Sequence, residues 1–376
     1  MHLRLITIVL SGVMVGVGAC AHEALEVTAA SPSIEDIQEA VDSLEGRTGT
    51  VHVPAGEAEA IGTLRLPPGT RLVGAGMEET RLFRGPQTDI HSREAMIQVQ
   101  GPGPEGTRVS GLNLVGVLDA QSEGSDSGIV LRDVTDFRVA HCRFERFGNA
   151  AVHVRGDGVR GLIDNCRMVE IFKPAINNLG YGVVVYGTNE WNDDLQPGGP
   201  DAVFVEDCVM IGNRHAIASN AGAVYVFRQN HVYENALTQP IDAHGPGYGS
   251  PRGTQWVEIY GNLVERPRRD APAMLIRGGG GVIFNNTIRD HSRGIGLTLD
   301  FDQRLDWSRP YPIPDQVHNV WVWNNTLDGT EVKPYVPERS AEHIKEGRDY
   351  HLEQMPDYEP FAYPHPLRGD TALERE

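Results

Sequence analysis

One stretch of the chain has the hydrophobic period of a helix. Over residues 33–44, Ile34, Ile37, Val41 and Leu44 share a face, with Ser33 placed to cap it and Asp36 at the capping-box position. Beyond it the helical period stops, and short apolar runs recur between Gly, Asn and Asp turns. Stacked, they read Val139-Ala-His-Cys142-Arg-Phe144, Ile163-Asp-Asn-Cys166-Arg-Met168, Val205-Glu-Asp-Cys208-Val-Met210 and Phe227-Arg-Gln-Asn230-His-Val232. They continue as Ile259-Tyr-Gly-Asn262-Leu-Val264, Ile283-Phe-Asn-Asn286-Thr-Ile288 and Val322-Trp-Asn-Asn325-Thr-Leu327. The Cys/Asn column is spaced 24, 42, 22, 32, 24 and 39 residues apart. A base period of 22–24 residues, lengthened by insertions, suits one coil of a right-handed parallel β-helix. Helix-pair arrays and propellers have other periods and other units, and neither fits.

In such a solenoid successive coils lie about 4.8 Å apart, so equivalent residues stack. Asn230, Asn262, Asn286 and Asn325 are then expected to form an asparagine ladder at a turn, with Cys142, Cys166 and Cys208 continuing the column as buried thiols. The solenoid spans residues 33–330, after a tether over 20–32. Residues 331–376, rich in Pro and Tyr, lack the repeat and are expected to pack along the solenoid or cap it. The order Ile37-Gln-Glu-Ala-Val41, Thr50-Val-His-Val-Pro-Ala-Gly56, Leu66-Pro-Pro-Gly-Thr-Arg-Leu-Val-Gly-Ala-Gly76 resembles the N-terminal cap and first coils of the pectate-lyase-like superfamily. That resemblance implies an all-β, single right-handed β-helix; the superfamily holds lyases, hydrolases, epimerases and phage adhesins, so it does not choose a chemistry.

Each coil carries a second strand before the Cys/Asn strand. These align as Val152–Arg155, Val183–Tyr186, Ile217–Asn220, Ile241–His244, Met274–Arg277 and Ile295–Thr298. Side chains alternate along a strand, so the apolar first and third positions point inward and the second and fourth face solvent. The fourth column reads Arg155, Tyr186, Asn220, His244, Arg277 and Thr298; two residues before the first position stand Ala150, Tyr181, His215, Gln239, Pro272 and Arg293. An idle sheet face would carry Thr, Ser, Lys and Glu. This concentration of His, Tyr, Arg and Asn, with Asp242 and Arg214 beside it, marks a candidate groove.

Removing the proton alpha to a uronate carboxylate needs a cation on that carboxylate and a base of suitable pKa. Arg277 or Arg155 suits the first role and His244 or His215 the second, with Tyr186 as the acid for the leaving oxygen. Asn220, Arg214, Arg293 and Tyr181 are candidate substrate contacts. Asp242-Ala-His244 is similar to the Asp-Pro-His motif of mannuronan C5-epimerases. There the Asp helps hold the carboxylate, and the His and a preceding Tyr exchange protons; here Ala243 replaces Pro, and Gln239 stands where that Tyr would be. Hydrolysis needs two carboxylates, and Asp242 is the lone acid in the two columns of second and fourth positions, although Asp300 and Asp302 follow the last strand. The insertion 187–201, with Glu190, Asp193, Asp194 and Asp201, offers oxygen ligands for the Ca²⁺ that the superfamily resemblance implies, or is a solvated acidic loop. Gly278 to Gly281 is no phosphate loop, because neither a helix nor GK[ST] follows.

Charge narrows the partners. The 33 basic and 51 acidic residues sum to −18, which argues against a nucleic-acid binder, although a local arginine cluster still suits an anionic substrate. Residues 1–19 read as a secretory signal, with an apolar run too short to span a membrane. Val17-Gly18-Ala19-Cys20 resembles a lipobox, which implies lipidation of Cys20 and anchoring at a Gram-negative outer membrane. The expectation is a monomeric, extracytoplasmic carbohydrate-active protein. A polysaccharide lyase on an acidic glycan leads; an epimerase, a hydrolase and a non-catalytic glycan-binding protein are alternatives.

Overall fold

A computed structural model describes residues 25–85, 95–117, 126–172, 179–247, 250–299, 311–313 and 315–369. The leader with Cys20, and Asp300 and Asp302, lie outside the described residues.

The short strands close into coils of three. A representative coil runs Ala150–Arg155, Gly161–Asp164, Arg167–Val169, and each strand joins a different sheet. Among the described residues the sheets have 9, 12 and 11 strands, and they form a right-handed parallel β-helix. One row of the nine-stranded sheet pairs Val152, Val183, Ile217, Ile241, Met274 and Ile295 in register across five adjacent strand pairs. These side chains are all fully buried in one continuous core along the axis. Helix Ile34–Asp42 lies near the first strands of the solenoid, burying Ile34, Ile37, Ala40 and Val41. Ser33 Oγ accepts from the Asp36 amide at 3.1 Å, whereas the Ser33 amide donates to Ser31 Oγ, so the Asp36 carboxylate does not close the box.

The Cys/Asn column lies at the turn from the twelve-stranded to the eleven-stranded sheet. The residue before each member is left-handed: His141, Asn165, Asp207, Gln229, Gly261, Asn285 and Asn324 have φ between 50° and 67°. That geometry turns the next side chain inward, towards the preceding coil. Asn230 Nδ2 donates to Asn262 Oδ1 at 3.1 Å, Asn262 Nδ2 to Asn286 Oδ1 at 2.9 Å, and Asn286 Nδ2 to Asn325 Oδ1 at 2.8 Å. Asn262 Nδ2 also donates to the Phe227 carbonyl at 2.9 Å; Cys166 Sγ meets the equivalent Val139 carbonyl at 3.6 Å, and Cys208 Sγ the Ile163 carbonyl at 3.7 Å. The thiols thus take the place of the amide donors. They are free and buried, and burial pushes the Cys166 and Cys208 thiols well up.

Asn262→Ala removes the acceptor of the Asn230 amide and the donor to Phe227. A buried group left unsatisfied costs about 1–3 kcal/mol, so a loss of about 2–5 kcal/mol is expected in urea unfolding. Asn262→Cys, which keeps a donor, should lose less; equal losses would show that the ladder bonds do not govern stability here.

The chain after residue 330 returns to the solenoid. Tyr350–His351 pairs parallel with Val320 and Trp321 and ends the twelve-stranded sheet. Phe361 and Leu367 then pack on the outer face of that sheet, around Phe204, Tyr260, Phe284 and Tyr358.

Candidate functional site on the nine-stranded sheet

The outer face of the nine-stranded sheet presents three columns. The register places Tyr181 beside Ala150 and His215, and Tyr186 beside Arg155 and Asn220; His244, Arg277 and Thr298 continue the latter column through the amides of the adjoining coils. Between these columns runs His153, Val184, Ala218, Asp242, Leu275 and Gly296.

The expectation that second and fourth positions face open solvent needs correction. His153, Val184, Ala218, Asp242, Asn220 and Thr298 are all buried. Outside the main core, Val184 and Ala218 form a small apolar patch with Ala150, against which Tyr181 and Tyr186 pack. These tyrosines sit five residues apart on one strand, which at the usual strand rise separates them by about 17 Å. Adjacency along the axis therefore does not gather all the candidate side chains around one sugar ring: His215 and Tyr181 lie at one end of the strands, His244 and Tyr186 at the other.

Asp242 stands between the two ends. Its Oδ2 is 2.6 Å from Arg277 Nη2 and its Oδ1 3.1 Å from Arg277 Nε; Gln239 Nε2 donates to Oδ1 at 2.8 Å. Burial alone would raise this carboxyl, but Arg277, then His215 and His244, outweigh it and hold the group well below the usual carboxylate range. Arg277 is therefore committed to Asp242, which corrects its reading as the cation for a substrate carboxylate.

At the Tyr181 end, His215 is buried and Nδ1 lies 2.6 Å from the Gln239 carbonyl. Burial first and Arg214 second pull the imidazole down to about 3, against the opposing pull of Asp242 and the Gln239 carbonyl. Tyr181 stacks on His215 with centroids 5.5 Å apart and planes 9° apart, and the Arg214 guanidinium lies 5.6 Å from the Tyr181 centroid. Arg214 Nε and Nη1 are buried without a hydrogen-bond acceptor among the described residues.

At the other end, Tyr186 meets His153 edge-on at 5.5 Å, and His244 Nδ1 is 3.0 Å from the Gly245 carbonyl. Asn220 Oδ1 accepts the Ala221 amide, and its side chain is spent on the turn. Arg155 is half-buried at the end of its strand, and Arg293 is exposed over the Tyr335 ring, away from the middle coils. Beyond this end, where Arg155 and Tyr186 lead into Gly156 and Gly187, a cleft of about 310 Å³ opens beside Trp191. The insertion 187–201 is pinned there: Trp191 Nε1 donates to the Gly253 carbonyl, and the Gly198 amide to Glu258. Among the described residues no three His, Cys, Asp or Glu side chains converge on a metal position.

Two residues of this face escaped the sequence reading. His153 occupies the second position of its own aligned strand, and Arg132 precedes Arg155 in the fourth column. Extending the alignment one coil back, to Ile129-Val-Leu-Arg132, was the available signal.

No family model and no curated protein sequence matches this chain. Solved structures similar in fold include a tailspike protein of E. coli bacteriophage HK620 in complex with pentasaccharide (TM-score 0.51, 14% identity, covering 82% of this chain and 55% of the tailspike). The Streptococcus pneumoniae surface protein and adhesin PfbA is similar at TM-score 0.51 and 14% identity, over 83% of this chain and 88% of that one. A Yersinia enterocolitica family 28 exopolygalacturonase is similar at TM-score 0.50 and 15% identity, over 83% and 68%. The chain spans about half the length of the tailspike, and at these identities the likeness is one of fold.

Proposed function

We propose that this protein binds an acidic, uronate-containing polysaccharide on the outer face of the nine-stranded sheet and cleaves it by β-elimination. The observation that carries the reading is the charge of that face. Within a chain of net charge −18, its three columns from Ser127 to Thr298 hold Arg132, Arg155, Arg277, Arg293 and three histidines. Asp242 is the lone carboxylate in those columns and is neutralised by Arg277. Such an island attracts a polyanion that the rest of the surface repels. Elimination then needs what the face offers: a guanidinium for the uronate carboxylate, a neutral imidazole to take the alpha proton and a phenol for the leaving oxygen. The tailspike bound to pentasaccharide and the exopolygalacturonase support a glycan as the partner of this fold. The leader over residues 1–19, followed by Cys20, adds from sequence alone an extracytoplasmic and lipid-anchored location.

The test is to incubate the purified protein with alginate, pectate, glucuronan and glycosaminoglycans and follow the absorbance of unsaturated uronate ends. A rising signal on at least one polymer is expected. A flat trace on all of them, with binding retained, would replace the lyase by the second reading. That reading is a non-catalytic glycan-binding protein, supported by the adhesin of the same fold.

A further inference from the structure

We infer that, within the elimination reading on which this rests, the proton is taken at the Tyr181 end of the face: His215 Nε2 is the base, Arg214 holds the uronate carboxylate, and the Tyr181 hydroxyl protonates the leaving oxygen. Because the two ends of the strands lie about 17 Å apart, a single reacting carbon meets only one of them. At the Tyr181 end the phenol meets both other groups: the guanidinium lies over it at 5.6 Å, and it stacks on the imidazole at 5.5 Å. At the opposite end Arg277 makes its bidentate pair with Asp242.

The protonation pattern follows from the partners. A carbonyl oxygen only accepts, so the 2.6 Å contact with Gln239 puts the hydrogen on His215 Nδ1 and the lone pair on Nε2. Gln239 is itself held by the hydrogen bond that its side-chain Nε2 donates to Asp242 Oδ1, so Gln239 and Asp242 are positioning residues for this imidazole. Arg214 supplies the complementary anomaly: two buried guanidinium nitrogens whose N–H groups have no acceptor among the described residues, which native proteins seldom leave unpaired. A carboxylate matches their geometry and charge. Its arrival also offsets the Arg214 charge that, after burial, is the next cause depressing His215, so the base strengthens once substrate is bound.

In the step itself the C5–H bond breaks and its proton goes to Nε2. The electron pair forms the C4=C5 double bond, the C4–O bond breaks, and the departing oxygen takes the Tyr181 proton. His215 and Tyr181 then exchange protons with solvent, and no oxidant or added nucleophile is consumed.

The experiment uses the full-length protein with hexamers from whichever of alginate, pectate, glucuronan and glycosaminoglycans it cleaves, measuring kcat and KM. His215→Gln and Tyr181→Phe are expected to lower kcat by about 10²–10⁴-fold with KM nearly unchanged. Free imidazole should restore part of the rate to His215→Ala. Arg214→Ala should raise KM about tenfold or more, with Arg214→Lys intermediate. Should the His215 variants fail to fold, Tyr181→Phe and Arg214→Lys, which keep the ring stack and the charge, carry the test. Full kcat in His215→Gln or Tyr181→Phe, or an unchanged KM in Arg214→Ala, overturns this assignment while leaving the elimination reading intact. Absence of cleavage of alginate, pectate, glucuronan and glycosaminoglycans alike overturns both.

Discussion

Replacing Arg228 with leucine is expected to remove about 3–5 kcal/mol of stability and to release the C-terminal segment from the solenoid. Arg228 and Glu206 are both fully buried, with Nε 2.7 Å from Glu206 Oε2. The remaining donors of this guanidinium reach the Tyr260 hydroxyl and the Phe361 carbonyl through Nη1, at 2.9 and 2.7 Å, and the Ala362 carbonyl through Nη2 at 2.7 Å. Removing one partner of a buried pair leaves an uncompensated charge, which typically costs about that amount. Arg368 still meets Glu206 Oε1 at 2.7 Å, which places the expected loss towards the lower figure. Because the same side chain ties two tail carbonyls to the sheet, residues 354–369 should become sensitive to limited proteolysis under native conditions. An unchanged urea midpoint, or a tail as protease-resistant as in the wild type, would mean that the apolar contacts of Phe361 and Leu367 hold the segment unaided.

Arg277→Ala is expected to cost a similar amount at neutral pH and to invert a pH dependence. In the wild type the Asp242 carboxyl lies below its unfolded value, so its contribution is present above pH about 3.9 and is lost as pH falls through the folded value. Without Arg277, burial dominates and the folded value rises above the unfolded one. The native state then binds the extra proton, and the variant should gain stability relative to wild type as the pH is lowered from 7 towards 5. Urea unfolding at both pH values measures this. Adding Asp242→Asn to Arg277→Ala should recover part of the loss at pH 7, because the buried charge is gone. A gap between variant and wild type that is the same at pH 5 and pH 7 would show that Asp242 is solvated after Arg277 is removed.

The aligned strands of the nine-stranded sheet, the Cys/Asn column and the inward apolar rows were all legible in the chain. Each coil repeats the constraints of the last: period-two alternation sets which side chains enter the core, and stacking extends the same register to the next coil. A one-residue slip would expose the whole row from Val152 to Ile295, so the repeat carries its own register. The burial of the three thiols in line with the ladder followed from the same column. Position on the candidate face was therefore readable, and so was its arginine and histidine content apart from Arg132 and His153.

What those side chains touch was not. Strand position gives a direction and a column; it does not give burial on the outer face, where His153, Asp242 and His215 are covered although they point away from the core. Nor does it give pairing. Asp242 and Arg277 are 35 residues apart, and Arg228 and Phe361 are 133 apart, with no periodic signal connecting them. Only the packed chain joined Arg277 to Asp242, left two Arg214 donors without an acceptor and set Tyr181 on His215. Coil length and core pattern are local and repeated, so the amino-acid sequence determined the solenoid by itself. Charge pairing across coils and the docking of the tail are single, long-range events, and the tertiary structure decided those.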